Sequence, residues 1–96
     1  MSDVPKVIRA EAFHLVAPDG TLRARLAVDD GVAALGLFDK DGALLATLGL
    51  LPDGRAGLTL YDKDDNARAV LGVKSDGTPG LVLFDAHGRA VWEAPR

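Results

Sequence analysis

LGLFDKDGALLATLGLLPDGRAG (residues 35–57) is followed at once by LTLYDKDDNARAVLGVKSDGTPG (residues 58–80). The two stretches align without a gap at a period of 23 residues, and 11 of the 23 positions are identical. A fixed period of this length marks a repeat architecture, and it decides how the rest of the chain is read. A further unit, LVLFDAHGRAVWEAPR, begins at 81, and a more diverged one, FHLVAPDGTLRARLAVDDGVAA, begins at Phe13 and is one residue short between Val28 and Asp30. The units are therefore about 13–34, 35–57, 58–80 and 81–96, in one domain over 8–96 behind a polar tail at 1–7.

Each unit reads as a hairpin. Leu-x-Leu-aromatic-Asp alternates with period two and ends in a turn residue, at Leu35–Asp39, Leu58–Asp62 and Leu81–Asp85 and weakly at Phe13–Ala17. Short turns closed by Gly20, Gly42 and Gly88 follow, and Asp65-Asn66 stands in that place in the third unit. Asp and Asn tolerate positive φ best after Gly, so the turn survives there. Second strands are expected at Leu22–Val28, Leu44–Leu50, Ala67–Val73 and Ala90–Ala94, with Asp30-Gly31, Asp53-Gly54 and Asp76-Gly77 returning the chain. The connections are too short for parallel crossovers. The expected fold is all-β: an antiparallel meander of eight strands, closed into a shallow barrel with pseudo-fourfold symmetry, which removes the exposed edges.

Alternation sorts the side chains onto two faces. The Leu/Ala face, with Leu35, Leu37, Leu58, Leu60, Leu81 and Leu83 and with Trp92 in the place of Ala46 and Ala69, is expected to be the interior. The other face carries Val16, Phe38, Tyr61 and Phe84, one per unit just before the turn, beside Arg23, Arg25 and Arg68. The favoured reading of these residues is small cross-strand clusters capped by Arg stems. The sharper reading is an outward apolar ring that meets another subunit or lipid. These seven residues are the candidate contact set.

Composition narrows the function. The chain has 96 residues, 48% hydrophobic and 26% charged, and a net charge of −3. An acidic balance argues against nucleic acid and against anionic lipid head groups. With no Cys there is no disulfide, thiolate metal site or cysteine nucleophile. No apolar run is long enough for a membrane helix, and Met1 to Lys6 lacks the apolar core of a signal peptide, so a soluble, cytoplasmic location is the default expectation. His14 and His87 lie in different units without acids at ligand spacing, and Ser2 and Ser75 lack a nucleophile's strand–turn–helix setting. The chain is accordingly expected not to be an enzyme and to need no cofactor. Asp39-Lys-Asp41-Gly42 and Asp62-Lys-Asp64-Asp65 resemble the opening of a calcium loop. The twelfth positions, Leu50 and Val73, offer no acid, so turn chemistry is the preferred reading. Leu51, where other units have Asp29 and Lys74, is expected at a turn tip.

The string L-x-L-[FY]-D-x-x-G-x-x-[RL]-A-x-L-G-[LV]-x-x-D-G-x-x-G, with its final Gly88-Arg-Ala-Val-Trp92-Glu-Ala94-Pro95, resembles a family of bacterial repeat proteins over about residues 8–95. The resemblance implies a β-flower fold, a shallow barrel of splayed hairpins, and no activity that carries over. Some members are similar in shape to tubby-type lipid-binding barrels, and some have a membrane segment ahead of the repeats. The expectation is a non-enzymatic binding or self-assembly module, with a homo-oligomer among its candidate partners. The alternatives are a barrel for lipid or a small hydrophobic ligand, and a calcium-dependent module built on the Asp turns.

Overall fold

The computed structural model describes residues 3–50 and 54–95. Among them are eight strands: β1 (Ala12–Val16), β2 (Leu22–Asp29), β3 (Val32–Phe38), β4 (Leu44–Leu50), β5 (Ala56–Tyr61), β6 (Ala67–Val73), β7 (Pro79–Phe84) and β8 (Ala90–Ala94). They form one antiparallel meander in sequence order. No helix occurs among the described residues.

Local chemistry sets the turns. Asp30 (φ 50°) and Gly31 (φ 78°) form a two-residue turn between β2 and β3, both in the left-handed region. That is the type I′ geometry, which explains why the first unit is one residue short. The longer turns close differently. The Gly42 N–H donates to the Asp39 carbonyl (3.1 Å), and the Asp39 N–H donates to the Ala43 carbonyl (2.9 Å). The same pair of bonds recurs at Ala17–Thr21, Asp62–Asn66, Lys74–Thr78 and Asp85–Arg89. Asp65 takes the glycine's place in the third unit with φ 66°. One pair inward from each turn inside a unit, the register slips, at Leu15/Val16, Leu37/Phe38, Leu60/Tyr61 and Leu83/Phe84. Such bulges bend and twist the hairpins.

Between the bulges the register is uniform. Phe13, Leu26, Leu35, Leu48, Leu58, Leu71, Leu81 and Ala94 are paired in one row across all eight strands. A neighbouring row on the same face alternates large and small as far as Leu83 and ends on Trp92 in a small residue's place: Leu15, Ala24, Leu37, Ala46, Leu60, Ala69, Leu83, Trp92. The opposite face has a polar-to-apolar row from His14 through Arg25, Gly36, Thr47, Thr59, Val70 and Val82 to Glu93. Next to it lies a row of small residues, Ala27, Ala34, Gly49, Gly57, Gly72 and Gly80.

The expected closed barrel and its fourfold symmetry are not found. β1 pairs only with β2 and β8 only with β7, so the sheet is open. Closing eight strands requires each row to return displaced by about eight residues. The rows here run straight from β1 to β8, and both edge strands are five residues long. With that displacement β8 would miss β1 altogether.

The open sheet also corrects the expected interior. A single layer has nothing to bury its Leu/Ala face against, and Leu48 and Leu71 are 53% and 51% exposed. The one buried apolar residue among those described is Ala27, at 4% exposure and on the other face. The radius of gyration is 16.2 Å, against about 12 Å for a compact chain of this length.

Candidate interaction surface

The largest feature of the molecule is the Leu/Ala face. Both of its full-width rows are apolar from end to end. Leu26, Leu37, Leu48, Leu60, Leu71, Leu83 and Trp92 remain substantially exposed on it. The accessible surface of the chain is 7434 Å², whereas a compact monomer of 10.0 kDa exposes about 5,200 Å². Part of the excess is the tail at residues 3–11, and the rest belongs to the uncovered sheet.

The contact set expected from the sequence lies elsewhere. Val16, Phe38, Tyr61 and Phe84 end alternate strands at one end of the sheet, in an open line rather than a ring. Phe38, Tyr61 and Phe84 are half-buried, and Val16 is exposed. The Arg23 Nε donates to the Phe38 carbonyl at 3.3 Å, and the Arg68 Nε donates to the Phe84 carbonyl at 2.9 Å. Arg68 also reaches Asp62 at 3.3 Å. Two arginines thus tie the Phe38 and Phe84 strand ends to their preceding units. Arg25 turns away and grips the Asp29 carboxylate at 2.7 and 3.1 Å. The bulge places Leu44 opposite Phe38. A Cβ on Gly36 would meet both Leu44 Cδ1 (3.2 Å) and the Phe38 ring (3.5 Å).

Over the small-residue row lies a groove of about 220 Å³. Gly49, Gly57 and Gly72 floor it, Thr47, Thr59 and Val70 line it, and Arg55 and Lys74 also border it. The sequence reading missed this groove. Its signal is present as Gly49, Gly57, Gly72 and Gly80, which the register stacks in one row.

The Asp turns are internally organised. Asp39 Oδ1 accepts the N–H groups of Asp41 and Ala43 at 2.9 Å each. Asp62 does the same with Asp64 and Asn66, and Asp85 with His87 and Arg89. The backbone bonds from Ala43, Asn66 and Arg89 hold these three carboxyls below their ordinary pKa. Calcium at these turns would compete with N–H groups already donated. Among the described residues no three His, Asp or Glu side chains converge. His14 and His87 are exposed and far apart in the chain. Leu51 and Asp53 lie outside the described residues.

These lowered pKa values have a consequence for acid stability. A carboxylate whose folded pKa is depressed stabilises the fold above its unfolded pKa, and that contribution is lost as pH falls through the folded value. The thermal midpoint is expected to hold from neutral pH to about 5 and to fall below about 4. Combining Asp39→Asn, Asp62→Asn and Asp85→Asn keeps an acceptor oxygen but removes the titration. Melting curves of that variant across pH are expected to show a flatter acid limb; an unchanged limb would place the acid sensitivity in other groups.

No helix among the described residues is long and apolar enough to cross a membrane. A scan of the sequence against known protein-family models finds no match. No curated protein matches it significantly either.

Proposed function

We propose that this chain is a non-enzymatic assembly module, and that the partner for its Leu/Ala face is a second copy. The observation that carries the reading is the exposed, uncharged double row of Leu and Ala across the whole sheet. Two such faces packed about 10 Å apart make a β-sandwich core. The alternating row of Leu15, Ala24, Leu37 and Ala46 onward offers a knob beside each hollow, so the surface suits its own copy about a twofold axis. The excess surface, about 2,200 Å² over a compact monomer, is shared by the tail and the sheet and leaves room for the roughly 800 Å² that each partner gives to a standard interface. The likeness of the 23-residue unit to a bacterial repeat family fits a repeat module and adds no activity.

Light scattering over a range of protein concentration tests the proposal. A dimer or larger discrete species is expected, and a monomer at every concentration would overturn it.

A second reading rests on the groove over Gly49, Gly57 and Gly72: a short acyl chain or similar apolar ligand lies there rather than in a barrel mouth. Apolar lining beside two cations is the usual character of such a site. Titration calorimetry with a medium-chain fatty acid is expected to show saturable binding that Val70→Trp, which fills the groove, abolishes. Binding unaffected by that change would sink this reading.

A further inference from the structure

The chain contains three junctions between consecutive units, β2–β3, β4–β5 and β6–β7, and all three share one register. Ala24↔Leu37, Ala46↔Leu60 and Ala69↔Leu83 are the same pair in repeat coordinates. A fourth junction, β8 to a β1, is left unmade, because those strands are the two free edges of the sheet. We infer that β8 of one copy pairs with β1 of the next copy in this same register, joining molecules head to tail.

The register names the contacts. Trp92 stands where Ala69 stands, and Leu15 where Leu83 stands, so these two meet. Glu93 then faces His14, and Ala94 faces Phe13. Glu93 and His14 are the two ends of one row within the chain. Joining copies continues that row with an acid opposite an imidazole, where the internal junctions have Arg25–Gly36, Thr47–Thr59 and Val70–Val82. The apolar partners are exposed at the edges, Leu15 at 67% and Trp92 at 42%. A hollow opens along Ala90–Glu93 on the outer strand.

Two further points favour a second copy over closure within the chain. Natural sheets guard free edges with Lys, Pro or inward charge. AFHLV of β1 contains no Lys, Pro or acid, and the one charge on AVWEA of β8 is Glu93, which this register places opposite His14. Pairing in this register inside one chain would also close a barrel with no stagger, which twisted, tilted strands do not allow. Between copies no such closure is required, and a head-to-tail contact grows into a ring or a filament.

The chain has no cysteine, which permits a direct test. Directly opposed antiparallel residues have Cα atoms about 4.5–5.5 Å apart, within disulfide reach. The variant carrying both His14→Cys and Glu93→Cys, oxidised and run without reductant, is expected to give a ladder of covalent multimers that reductant collapses. Moving one thiol two residues along the same face, as Ala12→Cys with Glu93→Cys, is expected to lower the yield on the order of tenfold. A single intramolecular product would overturn the inference in favour of a closed chain. Equal yields from the two variants, or no product, would overturn it as well. Adding Leu48→Lys and Leu71→Lys separates this contact from the face-to-face one: the ladder is expected to persist when the face no longer associates.

Discussion

Leu48→Lys combined with Leu71→Lys is expected to convert the face-to-face assembly to monomers with strand content intact. Both residues lie in the central Leu row, on β4 and β6, with Leu58 between them. Each is about half exposed in the single sheet, so a lysine there reaches water while the chain is alone. In a sandwich the same ammonium is shut between two Leu surfaces without a partner. Lost apolar burial plus charge desolvation comes to about 2 kcal/mol or more per lysine, and because a twofold dimer shuts in both lysines of both copies the dissociation constant rises on the order of a millionfold. Light scattering reads the mass and circular dichroism reads the fold. An unchanged mass in a folded variant would remove the Leu/Ala face from the assembly. Leu48→Ser with Leu71→Ser, which carries no charge, is expected to show a smaller shift in the same direction.

Gly49→Ala is expected to be the most damaging single methyl in the sheet. A Cβ at Gly49 would sit 2.6 Å from the Ala33 carbonyl oxygen and 2.8 Å from both Cα and Cβ of Ala34. These are mostly backbone atoms of β3, which cannot rotate aside, so β3 and β4 must part where they pair. Overpacking of this kind costs about 2–3 kcal/mol, which lowers the thermal midpoint by roughly 10–20 °C in a domain of this size. Gly80→Ala is the matched control, because its Cβ would meet only the Ala94 oxygen at an ordinary 3.8 Å. That variant is expected to melt near the parent. Gly36→Ala is expected to fall between, since the close atom there is Leu44 Cδ1, the end of a flexible side chain. Equal midpoints for all three would mean that the close approach at Gly49 relaxes without loss.

Much of the local structure was legible in the sequence. The second strand of units two, three and four spans the residues that alternation marks, Leu44–Leu50, Ala67–Val73 and Ala90–Ala94. The first strands start one to three residues earlier than expected, at Ala12, Val32, Ala56 and Pro79. Gly57 and Gly80, just ahead of the expected starts at Leu58 and Leu81, pair within the ladder as Gly57↔Gly72 and Gly72↔Gly80. Glycine is ambiguous between turn and strand until a partner backbone approaches it. The candidate contact set was legible only in part. Phe38 and Phe84 do meet arginines, but through their carbonyls, a contact that no side-chain pattern announces.

The sequence by itself determined the strands, their turns and the sorting of residues onto two faces, because alternation and positive-φ turn residues act over a few positions. It also determined the common register, through the 23-residue period. Only the tertiary structure decided that the sheet stays open, and with it that the Leu/Ala face is surface rather than interior. Closure depends on the stagger accumulated over all eight strands and on the length left at the two edges. Alternation makes a face apolar whether it lines a barrel or waits for a second sheet.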